Sequence, residues 1–414
     1  FDFHNRRILN KEFCYYETNR SLCIMTQSMT MTRCAILLIL FLVSPAATFA
    51  PSRVARKPAM SSPLSMATWS DSKAVKEYQD FLSSGAQEIT LKDDCPSVIV
   101  VSPNEADLEF EELNPLAQAL MFMGNGDDVI LSPYQALPEV LGEGEYASSE
   151  YPIYITLPPQ EIEPFLDNLD KAYEDRQFDF CFFAGGFQYG NIEEILQGRG
   201  YCRDAMTQIL ISGMELGAQG IKDASVSLGT DSVGEEKWAG KCTACGKWNG
   251  AIAKRLERNE VRCSTDFYRD WRRKMWERNC LDAVMNLVGC VREEPTTLAD
   301  VSKYYEEEVS DILWEITGTL RGWKAITLMF GFEERIFGFA ERQNSQQCAI
   351  VDEWYPYIWG NSVFTESQKY LEYLQYAKSE MGLLTSVDLP PMKEESELAL
   401  SKMRKGNLRA DGVV

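Results

Sequence analysis

The segment CSTDFYRDWRRKMWERNCLDAVMNLVGCV, residues 263–291, is the longest helix pattern in the chain. A helix turns by about 100° per residue, which places one group of aliphatic side chains on a single face: Leu281, Val284, Met285 and Val288. A second stripe, with a spacing of four residues, starts with large apolar side chains: Phe267, Trp271 and Met275. The pattern predicts one long helix over residues 265–291 that packs against a core.

The second stripe becomes polar further along the same helix, at Arg278, Asp282 and Asn286. A helix whose inward stripe changes from apolar to polar either lines a cleft or carries a local ion pair. The spacing by itself favours a simple Arg278–Asp282 pair, which stabilises a helix by about 0.2–0.5 kcal/mol. The alternative is that these side chains line a binding cleft.

Three blocks in the second half of the chain resemble the ketopantoate-reductase-like family. They resemble most its plant and algal plastid branch, which is often named after 6-phosphogluconate dehydrogenase. The blocks are GKWNGAIAKRLERNEVRC (246–263), the helix above with its LVGC end, and GNSVFTESQK (360–369). The resemblance covers residues 97–377. It implies a Rossmann-like domain followed by a helical domain, a homodimer through the helical domain, and NADP-dependent oxidoreduction of a small 2-oxo or 2-hydroxy acid.

The resemblance also implies catalytic positions at Arg278, Asn286 and Glu353. The family's lysine, which protonates and orients the substrate, falls on Arg278, and a substrate-binding asparagine falls on Asn286. Glu353 corresponds to a glutamate that precedes the family's final helix. Arginine can bind a carboxylate through two hydrogen bonds, but it is a poor proton donor. The chain therefore resembles a member that has diverged from the reductase mechanism.

The loop after the first predicted strand departs from the nucleotide-binding pattern of this fold. A dinucleotide places its pyrophosphate on a helix N-terminus after the first strand, where glycines let the backbone approach. Here that strand is followed by Val101-Ser-Pro-Asn104 and by an acidic run over residues 105–112. The candidate NADP-binding residues are Ser102, Asn104, Gly185 and Gly186. The alternative is a non-catalytic binding or scaffold protein that keeps the two-domain fold.

Strand and helix patterns alternate in the first half of the chain, which predicts an α/β class with a parallel sheet. The predicted strands are 97–102, 127–131, 151–157, 178–183, 208–212 and 225–228, with helices at 115–123 and 160–174. Only helix patterns follow, at 249–259, 265–291, 297–319, 323–342 and 361–380. The predicted domains are Rossmann-like over 89–248 and helical over 249–385, with a loose tail over 386–414.

The first 85 residues have the composition of targeting sequence. Residues 1–30 lack periodicity and are interpreted as upstream sequence translated in frame. A basic residue, about ten apolar residues and small residues over 31–48 predict a signal peptide. Residues 49–85 are rich in serine and start with basic residues, which predicts a transit peptide and linker. Thr48-Phe-Ala-Pro51 resembles the junction of a bipartite presequence of secondary plastids, so a plastid is expected, with secretion as the alternative and no membrane anchor in the mature form.

Composition excludes several classes of site. The net charge is −21, which opposes binding to nucleic acid. The single histidine, His4, lies in the targeting region, so a serine–histidine hydrolase or a histidine-based metal site is not expected. Cys242-Thr-Ala-Cys245 is an isolated CxxC, which indicates either a redox switch or two incidental cysteines beside a helix start.

Overall fold

The computed structural model describes residues 91–390 except 145–146, 170, 186–188, 202–204, 224–230, 233 and 235–241. The targeting region predicted at 1–85, the strand predicted at 225–228 and the tail from 391 onward lie outside the described residues. Within the described ranges, no helix is both long enough and apolar enough to cross a membrane.

A central sheet of seven strands has the order β2-β1-β3-β4-β5-β8-β9. The first five strands of this sheet in chain order are parallel: β1 (Val98–Val100), β2 (Val129–Leu131), β3 (Ile153–Ile155), β4 (Phe180–Ala184) and β5 (Thr207–Leu210). These strands were predicted, because each is a short apolar run of the kind that is buried on both faces of a parallel sheet.

Four further strands were not predicted. A two-stranded hairpin consists of β6 (Met214–Gly217) and β7 (Gly220–Asp223). The sheet continues with β8 (Cys242–Cys245), which is antiparallel to β5, and β9 (Cys263–Thr265), which is parallel to β8. These segments are three or four residues long and contain polar or small side chains, so they lack the apolar run that identified the others.

The helices of the α/β region follow the predicted positions, except that the helix at residues 193–198 was not predicted. They are α1 (Pro115–Met123), α2 (Pro159–Asp167), α3 (Lys171–Glu174), α4 (Glu193–Gly198) and α5 (Asn249–Glu257). The helix predicted at 115–123 is confirmed: Asn114 caps it by accepting the N–H of Ala117, and proline occupies its first position. The helix predicted at 160–174 is divided into α2 and α3, since Asn168 leaves helical geometry.

The C-terminal region is helical, as predicted. It contains α6 (Tyr268–Cys290), α7 (Leu298–Tyr304), α8 (Glu306–Lys324), α9 (Phe332–Glu341), a π-helical turn (Tyr355–Trp359), α10 (Ser362–Thr365) and α11 (Gln368–Ser379). The helix predicted at 297–319 is two helices that meet at Tyr305. The one predicted at 323–342 is shortened to α9, because Ala325 and Gly331 have positive φ and bound a turn.

The sheet and the helices share a continuous apolar core. Helix α6 is buried along most of its length, and its cluster includes Ala184, Leu210 and Cys245 from the sheet. Helix α5 packs in the sheet's own cluster and β9 completes the sheet, so residues 249–265 belong structurally to the Rossmann-like part. The fold is therefore α/β, with a Rossmann-like domain followed by an all-helical domain.

Candidate functional site

The strand order reverses between β1 and β3, so the carboxyl ends of these two strands form the switch point of the sheet. Strand β2 lies on one side of β1, and β3 lies on the other. Ligands of open parallel sheets bind at such a switch point. Ser102 and Asn104 follow β1 in a turn at this edge, so two of the predicted cofactor residues are close to the expected place.

Two carboxylates accept hydrogen bonds from polar groups near this switch point. The Ser102 hydroxyl donates to Glu161 Oε2 over 2.7 Å. Asn114 Nδ2 donates to Glu105 Oε2 over 2.8 Å and to Thr156 Oγ1 over 3.3 Å. Since Asn114 is the N-cap of α1, the Glu105 carboxylate lies at the N-terminus of that helix. An anion is favoured at this position by the helix dipole, and a side chain of the protein supplies it.

This donor set does not fit a dinucleotide pyrophosphate. The Asn114 side chain accepts the N–H of Ala117, and Pro115 has no N–H to offer. No glycine lies between residues 102 and 114, so side chains keep the backbone away from a phosphate. The carboxylates of Glu105 and Glu161 would repel it. The remaining acids of the run point to solvent: Asp107, Glu109, Glu111 and Glu112.

Gly185 is buried at the end of β4, and its role there is steric. Its φ is +94°, and a Cβ atom would lie 2.6 Å from Leu210 Cδ1 and 2.8 Å from the Ile211 carbonyl oxygen. Its N–H donates to the Gly190 carbonyl over 3.1 Å. The close approach of β4 and β5 at this position therefore explains why residue 185 is a glycine. Gly186 lies outside the described residues.

Arg278 is buried at the junction of the sheet and the helical domain, with 2% of its surface exposed. Its guanidinium carbon lies 3.4 Å from the centre of the Phe339 ring on α9. Its Nε atom lies 3.8 Å from the Asp282 carboxylate, so the ion pair predicted from the helix spacing is present. Burial lowers the pKa of Arg278 to about 10, because the charged form is desolvated.

The loop after β5 approaches Arg278 closely. A Cβ atom on Gly213 would lie 2.8 Å from Arg278 Nη2 and 2.5 Å from Phe339 Cζ. Gly213 directly follows the carboxyl-terminal edge of the sheet, where α/β proteins bind their ligands. The arginine therefore lies beside this edge of the sheet and is enclosed by Phe339 and the loop at Gly213.

Asn286 is also buried, and its amide bonds to the backbone on both sides. Its Nδ2 donates to the Asp282 carbonyl over 2.7 Å, and its Oδ1 accepts the Ala349 N–H over 3.2 Å. Asp282 thus contacts both Arg278 and Asn286. Glu353 is exposed in the 3-10 turn Asp352–Trp354, and no described contact joins it to Arg278 or Asn286.

The aromatic segment after Glu353 contributes to the core. Ile358 and Trp359 are buried, and Trp354, Tyr355 and Tyr357 pack against the helical cluster.

Glu193 was not identified from the sequence, although it is buried at the start of α4 and links the two domains. It accepts hydrogen bonds from Arg272 and from Trp276 Nε1, the latter over 2.8 Å, both on α6. Arg272 thus pairs with Glu193, and Lys274 on the same helix pairs with Asp266 over 2.6 Å. These partners are distant in sequence or lie outside the helix, so helical spacing gives no sign of them.

A second buried group of charged side chains, which was not identified from the sequence, centres on Arg335. Its guanidinium donates to both oxygens of Glu277, over 2.7 and 2.8 Å, and to Asp231 over 2.6 Å. Burial raises the pKa of Glu277, while the charge of Arg335 acts in the opposite direction. The triad ties α6 and α9 to the segment at residue 231.

The CxxC segment forms strand β8 and does not adjoin a helix start. Cys242 packs in one apolar cluster and Cys245 in another, on opposite faces of the sheet. Residues three apart on a strand are separated by about 10 Å, which exceeds the span of a disulfide. A redox switch between these two thiols is therefore incompatible with the folded strand.

Comparison with known proteins gives similarity at the level of fold. No family model matches the chain, and no curated protein matches it. Among solved structures, it is similar to D-mandelate dehydrogenase in complex with NADH, at a TM-score of 0.35 and 12% identity, over 75% of this chain and 98% of that one. It is also similar to 2-dehydropantoate 2-reductase from Geobacter metallireducens, at a TM-score of 0.36 and 13% identity, over 75% and 99% of the chains. The latter belongs to the reductase class that the sequence resembles.

Proposed function

We propose that the protein is a non-catalytic binding protein that keeps the two-domain architecture of a dehydrogenase. The observation that supports this is the pair of carboxylates at the switch point between β1 and β3. There Glu105 lies at the N-terminus of α1, bonded to Asn114, and Glu161 is bonded to Ser102. The protein's own carboxylates occupy the polar groups that a pyrophosphate would need.

The size of the electrostatic penalty supports the same proposal. Two unit charges 4 Å apart interact with about 4 kcal/mol at an effective dielectric constant of 20. Two carboxylates against a doubly charged pyrophosphate would oppose much of the affinity that a dinucleotide usually obtains in this fold. Neither glycines nor an arginine at residues 102–114 compensate for this repulsion.

Calorimetric titration of the full chain with NADPH tests the proposal. We expect no saturable binding below millimolar concentration. In the variant Glu105→Gln/Glu161→Gln, each side chain keeps one acceptor oxygen, and both negative charges are removed. We expect this variant to gain at least about tenfold in affinity for NADPH. Glu109→Gln/Glu111→Gln is the control, because it removes the same charge from exposed positions. Micromolar binding of NADPH by the unmodified protein would overturn the proposal.

The position of Arg278 favours a second function, NADP-dependent oxidoreduction of a small 2-oxo or 2-hydroxy acid. In this function Arg278 would bind the substrate carboxylate beside the loop at Gly213, with Asn286 and Glu353 completing the site. Turnover of 2-oxo acids with NADPH, measured by loss of absorbance at the nicotinamide, tests it. Replacement of Arg278 by lysine should raise the rate only if a cofactor site operates, and Arg273→Lys on the same helix is the control.

A further inference from the structure

A groove on the helical domain lies between α8, the turn over residues 325–331 and α9. Its volume is about 740 Å³, within the range of sites that hold a few large side chains. Its floor is aromatic: Phe332 and Phe337 belong to α9, and Trp314 belongs to α8. The rings of Trp314 and Phe332 meet edge to face, with centroids 5.4 Å apart. The groove is thus a formed cavity with ordered walls.

Two of its aromatic side chains are largely open to solvent. Phe330 is 77% exposed and Trp314 is 58% exposed, and both border the cavity. Single exposed apolar residues are common on protein surfaces, but a cluster of large aromatic groups around a cavity indicates a binding site. Trp314 is held in place, since its Nε1 donates to Glu333 Oε2 over 3.1 Å.

The rim of the groove is acidic. Among the residues that the structure describes, four glutamates border it, Glu306, Glu333, Glu334 and Glu341, against one cation, Arg321. Such a rim attracts a cationic partner and opposes an anionic one, including an anionic lipid surface or another copy of a chain whose net charge is −21.

We propose that this groove binds a basic peptide segment of a partner protein, with one or two large apolar side chains inserted between Trp314 and Phe330 and with flanking lysines or arginines on the glutamate rim. The inference rests on the proposed function in that it supplies the partner class of a binding protein. It uses residues separate from the β1–β3 switch point, so the peptide test and the NADPH test can fail independently.

Anisotropy of a fluorescein-labelled synthetic peptide tests the inference. The labelled probe peptide has leucines at helical spacing and lysines at the other positions. The control peptide has glutamate in place of every lysine. We expect saturable micromolar binding of the basic peptide only, with affinity falling as salt rises. Phe330→Ser should lose at least about tenfold in affinity. Trp323→Ser is the control, because Trp323 is an aromatic residue of α8 that is 62% exposed and does not line the groove.

Other outcomes overturn the inference. Equal binding by the Phe330→Ser and Trp323→Ser variants would mean that the peptide does not use the groove. A dimer in sedimentation velocity that dissociates in Phe330→Ser would assign the groove to a second copy. Binding to phosphatidylglycerol vesicles that is lost in the same variant would assign it to a membrane.

Discussion

Glu150 is an exposed carboxylate that forms ion pairs with two lysines. Lys247 Nζ and Lys92 Nζ each lie 2.7 Å from its Oε1 atom. These hydrogen bonds lower the pKa of Glu150 from 4.5 to about 2. Glu150 is itself 53% exposed, so solvent screening keeps its contribution to stability below about 1 kcal/mol.

We expect Glu150→Gln to lower the free energy of unfolding by less than about 1 kcal/mol at pH 7. Since the folded-state pKa is depressed, the contribution is present above the unfolded value and is lost as the pH falls from about 4.5 to about 2. Urea unfolding at pH 7 and at pH 3 measures the difference between variant and parent. That difference should shrink at pH 3. The control is Glu139→Gln, at an exposed position nearby, for which we expect no such change with pH. If the effect of Glu150→Gln did not depend on pH, the ion pairs could not be its cause.

At this scale the sequence predicted contacts that lie within one helix and missed the others. The Arg278–Asp282 pair follows from a spacing of four residues and is present. The pairs of Glu193 with Arg272 and of Glu277 with Arg335 join residues far apart in sequence. Helical periodicity has no information about such pairs, because they depend on which elements pack together. The catalytic roles of Arg278, Asn286 and Glu353 stay predictions.

At the scale of elements, the apolar strands and the long helices were predictable and the polar strands were not. The apolar runs of β1, β3 and β4 are buried on both faces, so composition identifies them. Strand β8 has the sequence CTAC, and it is a strand because β5 and β9 bond to it on either side. Tertiary context, and not local preference, determines such an element.

The loop between β5 and β6 allows a test of how closely the sheet approaches α6 and α9. We expect Gly213→Ala to lower the free energy of unfolding by about 2 kcal/mol or more. The φ of Gly213 is +66°, and its new Cβ would lie 2.5 Å from Phe339 Cζ. Chemical denaturation followed by circular dichroism measures the loss.

Gly217→Ala, four residues along the same segment, is the matched control. A Cβ atom there meets nothing within 4 Å, and Gly217 is not among the glycines with positive φ. We expect its stability to stay within about 0.5 kcal/mol of the parent. Equal losses in the two variants would show that the β5–β6 loop does not have the close contact described.

At the scale of the whole molecule, the sheet and the helical domain should unfold as one unit. They share an apolar cluster, and Glu193 on α4 connects them through Arg272 and Trp276 on α6. Glu193 also lies beside Glu194, which is more exposed and pairs with Lys324 over 3.1 Å. The two neighbouring glutamates therefore separate the effect of a buried link from that of a surface link.

We expect Glu193→Gln to lower the free energy of unfolding by roughly 2 kcal/mol or more. The usual loss for a fully buried ion pair is larger, but the Arg272 side chain is partly exposed to solvent. Glu194→Gln should cost less than about 1 kcal/mol. Tryptophan fluorescence reports mainly on the helical domain, and far-ultraviolet circular dichroism reports on both domains. In both variants, the unfolding transitions measured by these two probes should coincide, because the shared core remains. Two separate transitions in the parent would mean that the domains are independent. Separation only in Glu193→Gln would mean that this carboxylate, and not the apolar core, makes them one cooperative unit.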